Sequence, residues 1–223
     1  MSTWTSSAPL LFAIGLLGCG PGVDVGLGSA GASFTRSVPD RITVAGDSVV
    51  VAGPPGYCVD TSLTRDRGAD AFVLLGSCAA LARDDGADRP DLPAILTVSI
   101  SEVLESAQAM SLDDLEAFAV SPTGRAAFSR DGTEANVTID TVFVEKGTLV
   151  LQVTDTGGRD TSPLGDTYWR SIFIADGRVI SAAVVGHVDH PLGADAGLDT
   201  LRTFTAQLID ENGATRSSEE APV

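Results

Sequence analysis

Both histidines of the chain, His187 and His190, fall in one short stretch, "GHVDHP". Imidazole and carboxylate together suit zinc, copper or nickel, so His187, Asp189 and His190 form the candidate metal set. On an extended strand His187 and Asp189 share a face and His190 points away, unless the chain turns before Pro191. Three donors without a fourth fall short of a closed tetrahedral site. A structural or solvent-facing stretch is therefore the expectation. Other chemistry is harder to seat. No Gly-x-Ser-x-Gly elbow occurs, and no phosphate-cradling Gly-x-x-x-x-Gly-Lys run; the single lysine, Lys146, belongs to an expected turn. The acidic loops at 83–91 and 155–160 lack the alternating acids of an EF-hand, so solvated surface is expected of both. No catalytic residue is nominated and no cofactor is implied.

The remaining reactive groups are thiols. Cys19 ends an apolar run at residues 9–17, with Gly18 between. The run is too short for the roughly 18–20 residues that span a bilayer, but it suits the h-region of a secretory signal. The order Leu16, Leu17, Gly18, Cys19 resembles the lipobox of bacterial lipoproteins, although residues 1–18 carry no basic residue. That resemblance implies cleavage before Cys19, lipidation of its thiol, and attachment to a membrane. Gly20, rather than Asp, follows the cysteine, which resembles outer-membrane sorting. The implied plan is a signal peptide at 1–18, a lipid-anchored flexible tether at 19–40 rich in Gly, Ser and Pro, a single domain at 41–213 and a disordered acidic tail at 214–223. The expected location is the bacterial cell envelope, facing the periplasm, on the outer rather than the inner membrane.

Lipidation of Cys19 would leave an even pair of the three cysteines, Cys58 and Cys78. Export to an oxidising compartment favours their pairing as a disulfide. Neither belongs to a Cys-x-x-Cys pair or neighbours a histidine, which argues against redox or zinc chemistry. Lys and Arg number 14 against 30 Asp and Glu, a net charge of −16. Nucleic-acid binding depends on neutralised phosphates, so a polyanion of this size excludes it.

The elements that position these groups follow from periodicity. "RITVAGDSVVVAG" reads as a hairpin, with Gly46-Asp47 as a two-residue II′ turn. "AFVLLG" (71–76), apolar throughout, reads as a central strand covered on both faces, and "AILTVSIS" (94–101) as another strand. Ser111 with Asp114 makes a capping box for a helix whose inner side is Leu112, Leu115, Phe118 and Ala119. Ser121-Pro122 opens a second short helix. Two hairpins follow, turning at Lys146-Gly147 and Asp176-Gly177. Leu198, Leu201, Phe204 and Leu208 recur at helical spacing before Gly213, a C-cap.

Strands, short helices, a meander and a long helix predict an α+β class, a largely antiparallel sheet with helices packed on its faces. The hairpin arm "DGRVISAAVVGH" leading into "DAGLDTLRTFTAQL" resembles the PsbP-like group, an α/β/α sandwich found in photosystem extrinsic proteins and bacterial envelope lipoproteins. That resemblance implies non-catalytic binding or assembly, with an envelope protein as partner. Within the second hairpin, Tyr168, Trp169 and Arg170 are adjacent. Neighbouring strand residues face opposite ways, so one aromatic should be buried and the other exposed beside Arg170 as a partner contact. A non-enzymatic binding protein is the first expectation. A small periplasmic metal-binding protein or enzyme using His187, Asp189 and His190 is the alternative.

Overall fold

The computed structural model describes residues 36–104, 110–159 and 162–217, all within the unit Ser33–Val223. Cys19 and residues 1–35, with the signal-like run and most of the expected tether, lie outside the described residues. In chain order the elements are β1 (Arg41–Val44), β2 (Val49–Ala52), β3 (Tyr57–Val59), β4 (Arg65–Asp66), β5 (Ala71–Ser77), α1 (Cys78–Ala82), β6 (Ala94–Ile100), α2 (Leu112–Val120), α3 (Pro122–Phe128), β7 (Val137–Glu145), β8 (Thr148–Asp155), β9 (Leu164–Ala175), β10 (Arg178–His187) and α4 (Ala194–Ser217). β1 and β2 form a separate ribbon. The others make an eight-stranded sheet in the order β3-β5-β6-β10-β9-β8-β7, with β4 also on β5. Every pairing is antiparallel. The class is α+β, with helices on the faces of a large antiparallel sheet.

Successive strand residues face opposite ways, and both faces of the central strands are apolar. Ile180, Ala182 and Val184 of β10 join Trp169 and Phe173 of β9 in one core, closed by Leu201, Phe204 and Leu208 of α4. Ala183 and Val185 join Tyr168 and Ile172 in the other, closed by Leu115 and Ala119 of α2 and Phe128 of α3. The two β-hairpins that feed these cores turn where expected. Lys146-Gly147 and Asp176-Gly177 both have positive φ at each residue, 50° and 76°, then 49° and 71°, as a two-residue I′ turn requires.

The first hairpin departs from expectation. Val44 pairs with Val49, so four residues rather than two make the loop, and Ala45, Gly46 and Asp47 are all left-handed (φ 58°, 70° and 61°). Tertiary bonds hold this conformation. Ala45 N donates to Asp66 Oδ1 at 3.2 Å, and buried Arg178 donates to Ala45 O at 3.3 Å. Arg178 also donates to Ala69 O and, at 2.8 Å, to Ser101 O. One guanidinium thus ties the ribbon, the approach to β5 and the end of β6 together.

β5 is covered unequally. Ala71, Val73 and Leu75 are buried, whereas Phe72 and Leu74 are only half-buried. The reason is the placement of the helices: α2 packs on β7 and β8, and α3 on β7, away from β5. The capping box is present, with Asp114 N donating to Ser111 Oγ at 3.1 Å and Ser111 N to Asp114 Oδ2 at 3.0 Å. The Ser111 N–H, together with the Ser111 hydroxyl donating to the same Oδ2 at 2.7 Å, holds the Asp114 carboxyl below the usual carboxylate range. Ser121 caps α3 through Gly124 N at 3.1 Å. On α2, Leu115 and Ala119 face inward, but Phe118 is 43% exposed. On α4 the inward side is as expected, yet the helix runs through Gly213 to Ser217. Asn212 explains the continuation. Its amide exchanges two bonds with the Val50 backbone, both 2.9 Å, and fastens this part of α4 to β2.

Phe204 is wholly buried between α4 and the sheet. Phe204→Ala should lower unfolding free energy by about 3–5 kcal/mol, read by denaturant unfolding; a loss below about 1 kcal/mol would contradict this packing.

Candidate functional site

β10 ends at His187 and the chain turns at once. His190 N donates to His187 O at 2.9 Å, and the two residues pair as an isolated bridge. The turn before Pro191 is therefore made, and the imidazole centroids come to 6.5 Å. The Asp189 backbone N–H donates to His187 Nδ1 at 3.2 Å, and the Asp189 carboxylate lies 3.4 Å from the same nitrogen. His187, Asp189 and His190 are all exposed at the sheet's end. Among the described residues no three His, Cys, Asp or Glu side chains are grouped so as to hold a metal ion.

Tyr168 and Trp169 correct the expectation of one exposed aromatic, because both are buried. β9 lies between β10 and β8, and both of its faces are covered. Trp169 packs under α4, where a Cβ on Gly197 would lie 2.8 Å from its Cδ1. Glycine at 197 thus lets the helix approach the indole. Tyr168 lies on the opposite face and donates to Phe128 O at 2.9 Å. Burial raises its phenol pKa, and nearby Arg170 offsets part of that rise.

Arg170, half-buried, is placed by these rings. Its guanidinium carbon lies 5.3 Å from the Phe128 centroid and 5.4 Å from that of Tyr168, within cation–π range. Its Nη1 donates to Ser181 Oγ at 2.7 Å. A second arginine, Arg130, follows α3. Its backbone N–H donates to Asp155 Oδ2 at 2.8 Å, its Nε lies 3.7 Å from the same oxygen, and its Nη2 donates to Gly165 O. Asp155 Oδ1 accepts Gly157 N at 2.8 Å. Asp155 is wholly buried, although its loop reads as solvated surface. The signal was present in Asp-Thr-Gly-Gly at a strand end, a sequence suited to a carboxylate folding back on its own backbone. Nothing local marks Arg130. Phe128, Arg130, Leu164, Tyr168, Arg170 and Val185 line a cleft of about 130 Å³ on the sheet face.

At the other end of the sheet, Cys58 of β3 and Cys78 at the start of α1 form the expected disulfide, with Cα atoms 4.8 Å apart. β3 pairs with β5, placing Cys58 opposite Gly76, and Cys78 N donates to Gly56 O at 2.9 Å. Among the described residues no helix is long and apolar enough to cross a membrane. No protein-family model, no curated protein and no solved structure matches the chain.

Two outcomes follow from this geometry. Replacing Cys58 and Cys78 by Ala should cost about 3 kcal/mol, the chain-entropy value for a loop of this length, measured by unfolding at fixed pH; an unchanged midpoint would refute it. His187→Ala with His190→Ala should leave the fold and the metal content unaltered. One-to-one calorimetric binding of zinc, copper or nickel that disappears in the double variant would reverse that expectation.

Proposed function

We propose that this chain is a bacterial envelope lipoprotein, held to a membrane through a lipidated Cys19, whose domain works by binding a protein partner and not by catalysis. Cysteine parity is the observation that carries this reading. Cys58 and Cys78 are bonded to each other, so Cys19 is the thiol left over, and it stands in the Leu-x-Gly-Cys order of a lipobox. A disulfide also suits an oxidising compartment, in keeping with a periplasm-facing domain. Gly20 after the cysteine favours the outer membrane.

The use made of buried polar groups supports a non-enzymatic role. Ser171 and Thr205 bond to each other at 2.7 Å across the sheet–α4 interface, Asn212 fastens α4 to β2, and Arg178 ties three backbone segments. Each serves the fold. Both imidazoles are exposed at a turn. Layering of α4 on one face and α2–α3 on the other supports the likeness to the PsbP-like group, whose members mostly bind or assemble. The metal-binding or enzymatic alternative rests on His187, Asp189 and His190 and gains no converging donor among the described residues.

Cys19→Ser should move the protein from the membrane to the soluble fraction and leave the signal uncleaved. Mass spectrometry of the wild-type N-terminal peptide should show the added acyl chains. Retention of Cys19→Ser at the membrane, with no lipid mass on the wild type, would refute the anchor. Crosslinking of the native envelope should then recover a stable protein partner.

A further inference from the structure

Two arginines and a single carboxylate meet at the cleft beside β9. Asp155 accepts the backbone N–H groups of Arg130 and Gly157 and lies beside the Arg130 side chain. Arg170 has no ion pair among the described residues. It rests on two aromatic rings and bonds a hydroxyl. Each guanidinium also has a buried nitrogen, Arg130 Nη1 and Arg170 Nε, without a hydrogen-bond partner among the described residues. Buried polar groups are nearly always satisfied, so two such donors at one cleft need an explanation. The chain carries 30 acidic residues, yet among the described residues Asp155 alone is bonded to either of these arginines. The local excess is positive within a protein of net charge −16.

The rest of the lining is Thr97 and an apolar wall of Leu164, Ala183 and Val185 beside the two rings. The volume of about 130 Å³ exceeds the ~10–15 Å³ that one water needs, and admits a small organic group. We infer that this cleft binds a carboxylate bearing a short apolar substituent. The planar forks of Arg130 and Arg170 match two carboxylate oxygens, and a small swing of either fork gives its orphaned N–H an acceptor. The substituent lies against Leu164, Ala183 and Val185. Phosphate, which is more strongly hydrated and has no apolar part, is a poorer match for these walls. The carboxylate has two sources, a free short-chain acid or the C-terminus of a peptide. The inference stands apart from the membrane anchor, since it depends only on residues of the domain.

The test titrates the purified full chain by calorimetry with butyrate, with an N-acetylated Ala-Val dipeptide, with its C-terminally amidated twin and with inorganic phosphate. Both carboxylates should bind one-to-one and the amide should not. Arg170→Met, which keeps the aliphatic stem over the rings, should weaken binding at least tenfold. In the unaltered chain, arginine Nε–H resonances should shift with the same saturation curve, a readout independent of the variant's folding. Dipeptide binding tenfold tighter than butyrate assigns the peptide source, and equal or weaker binding assigns the free acid. No saturation by either at millimolar concentration, equal binding of the amide, tighter binding of phosphate, or an Arg170→Met affinity equal to wild type would each overturn the inference.

Discussion

The strand register of the β9–β10 hairpin is the constraint on which the other layers depend. Its turn at Asp176-Gly177 pairs Ala175 with Arg178 and carries that register out to Tyr168 opposite Val185. A shift of one residue would exchange the two faces of a strand. Trp169 would then leave α4, and Tyr168 would leave the carbonyl of Phe128. Because each face of this hairpin feeds a different core, both helical layers are set by one two-residue turn. The turn residues are those that tolerate left-handed backbone, Asp and Gly, so the constraint is local in origin although its effects are not.

Charge is handled in two ways inside this acidic protein. Arg178 is buried and satisfied entirely by backbone carbonyls, which makes it a structural tie between segments distant in sequence. Arg130 and Arg170 are less fully used. Arg130 has a carboxylate and a carbonyl, Arg170 a hydroxyl and two ring faces, with one buried nitrogen on each left over. The contrast separates a finished polar network from an unfinished one. In the low-dielectric interior an unfinished network is costly, and a stable fold keeps one most readily where something else completes it.

Elements governed by neighbours in sequence were legible in advance. Ser111 and Asp114 lie three residues apart and make their capping box; Leu201, Phe204 and Leu208 recur on one side of a helix and are buried together. The paired cysteines were legible by parity. What escaped was set by long-range pairing. Burial of both Tyr168 and Trp169 requires both faces of β9 to be covered, by α4 over Trp169 and by α2 and α3 over Tyr168. The long loop at 45–48 depends on Arg178 and Asp66, which no local pattern near Gly46 announces. Asp155 reads as surface because its loop is polar, yet a carboxylate that folds back on Gly157 and Arg130 needs no solvent. The cleft arises where α2 and α3 stop covering the sheet, a boundary between layers that single-residue patterns do not encode. Cys19 and the run before it remain sequence readings, since they lie outside the described residues.

The chain enters the domain beside its covalent crosslink. Arg36 N donates to the O of Ala82, the last residue of α1, at 3.1 Å, and Val59 N, next to Cys58, donates to Pro39 O at 2.8 Å. Tension applied through the residues ahead of Arg36 therefore reaches the sheet at its β3 edge. Once the short bonds there and the β1–β2 ribbon ahead of Cys58 give way, the load passes through the Cys58–Cys78 bond and bypasses the loop it closes, a sequence separation of 20. β5 and the loop before it are shielded from peeling, and the pull is delivered to the start of α1. The crosslink thus acts as a mechanical stop that a pulled domain meets once its first ribbon has come away.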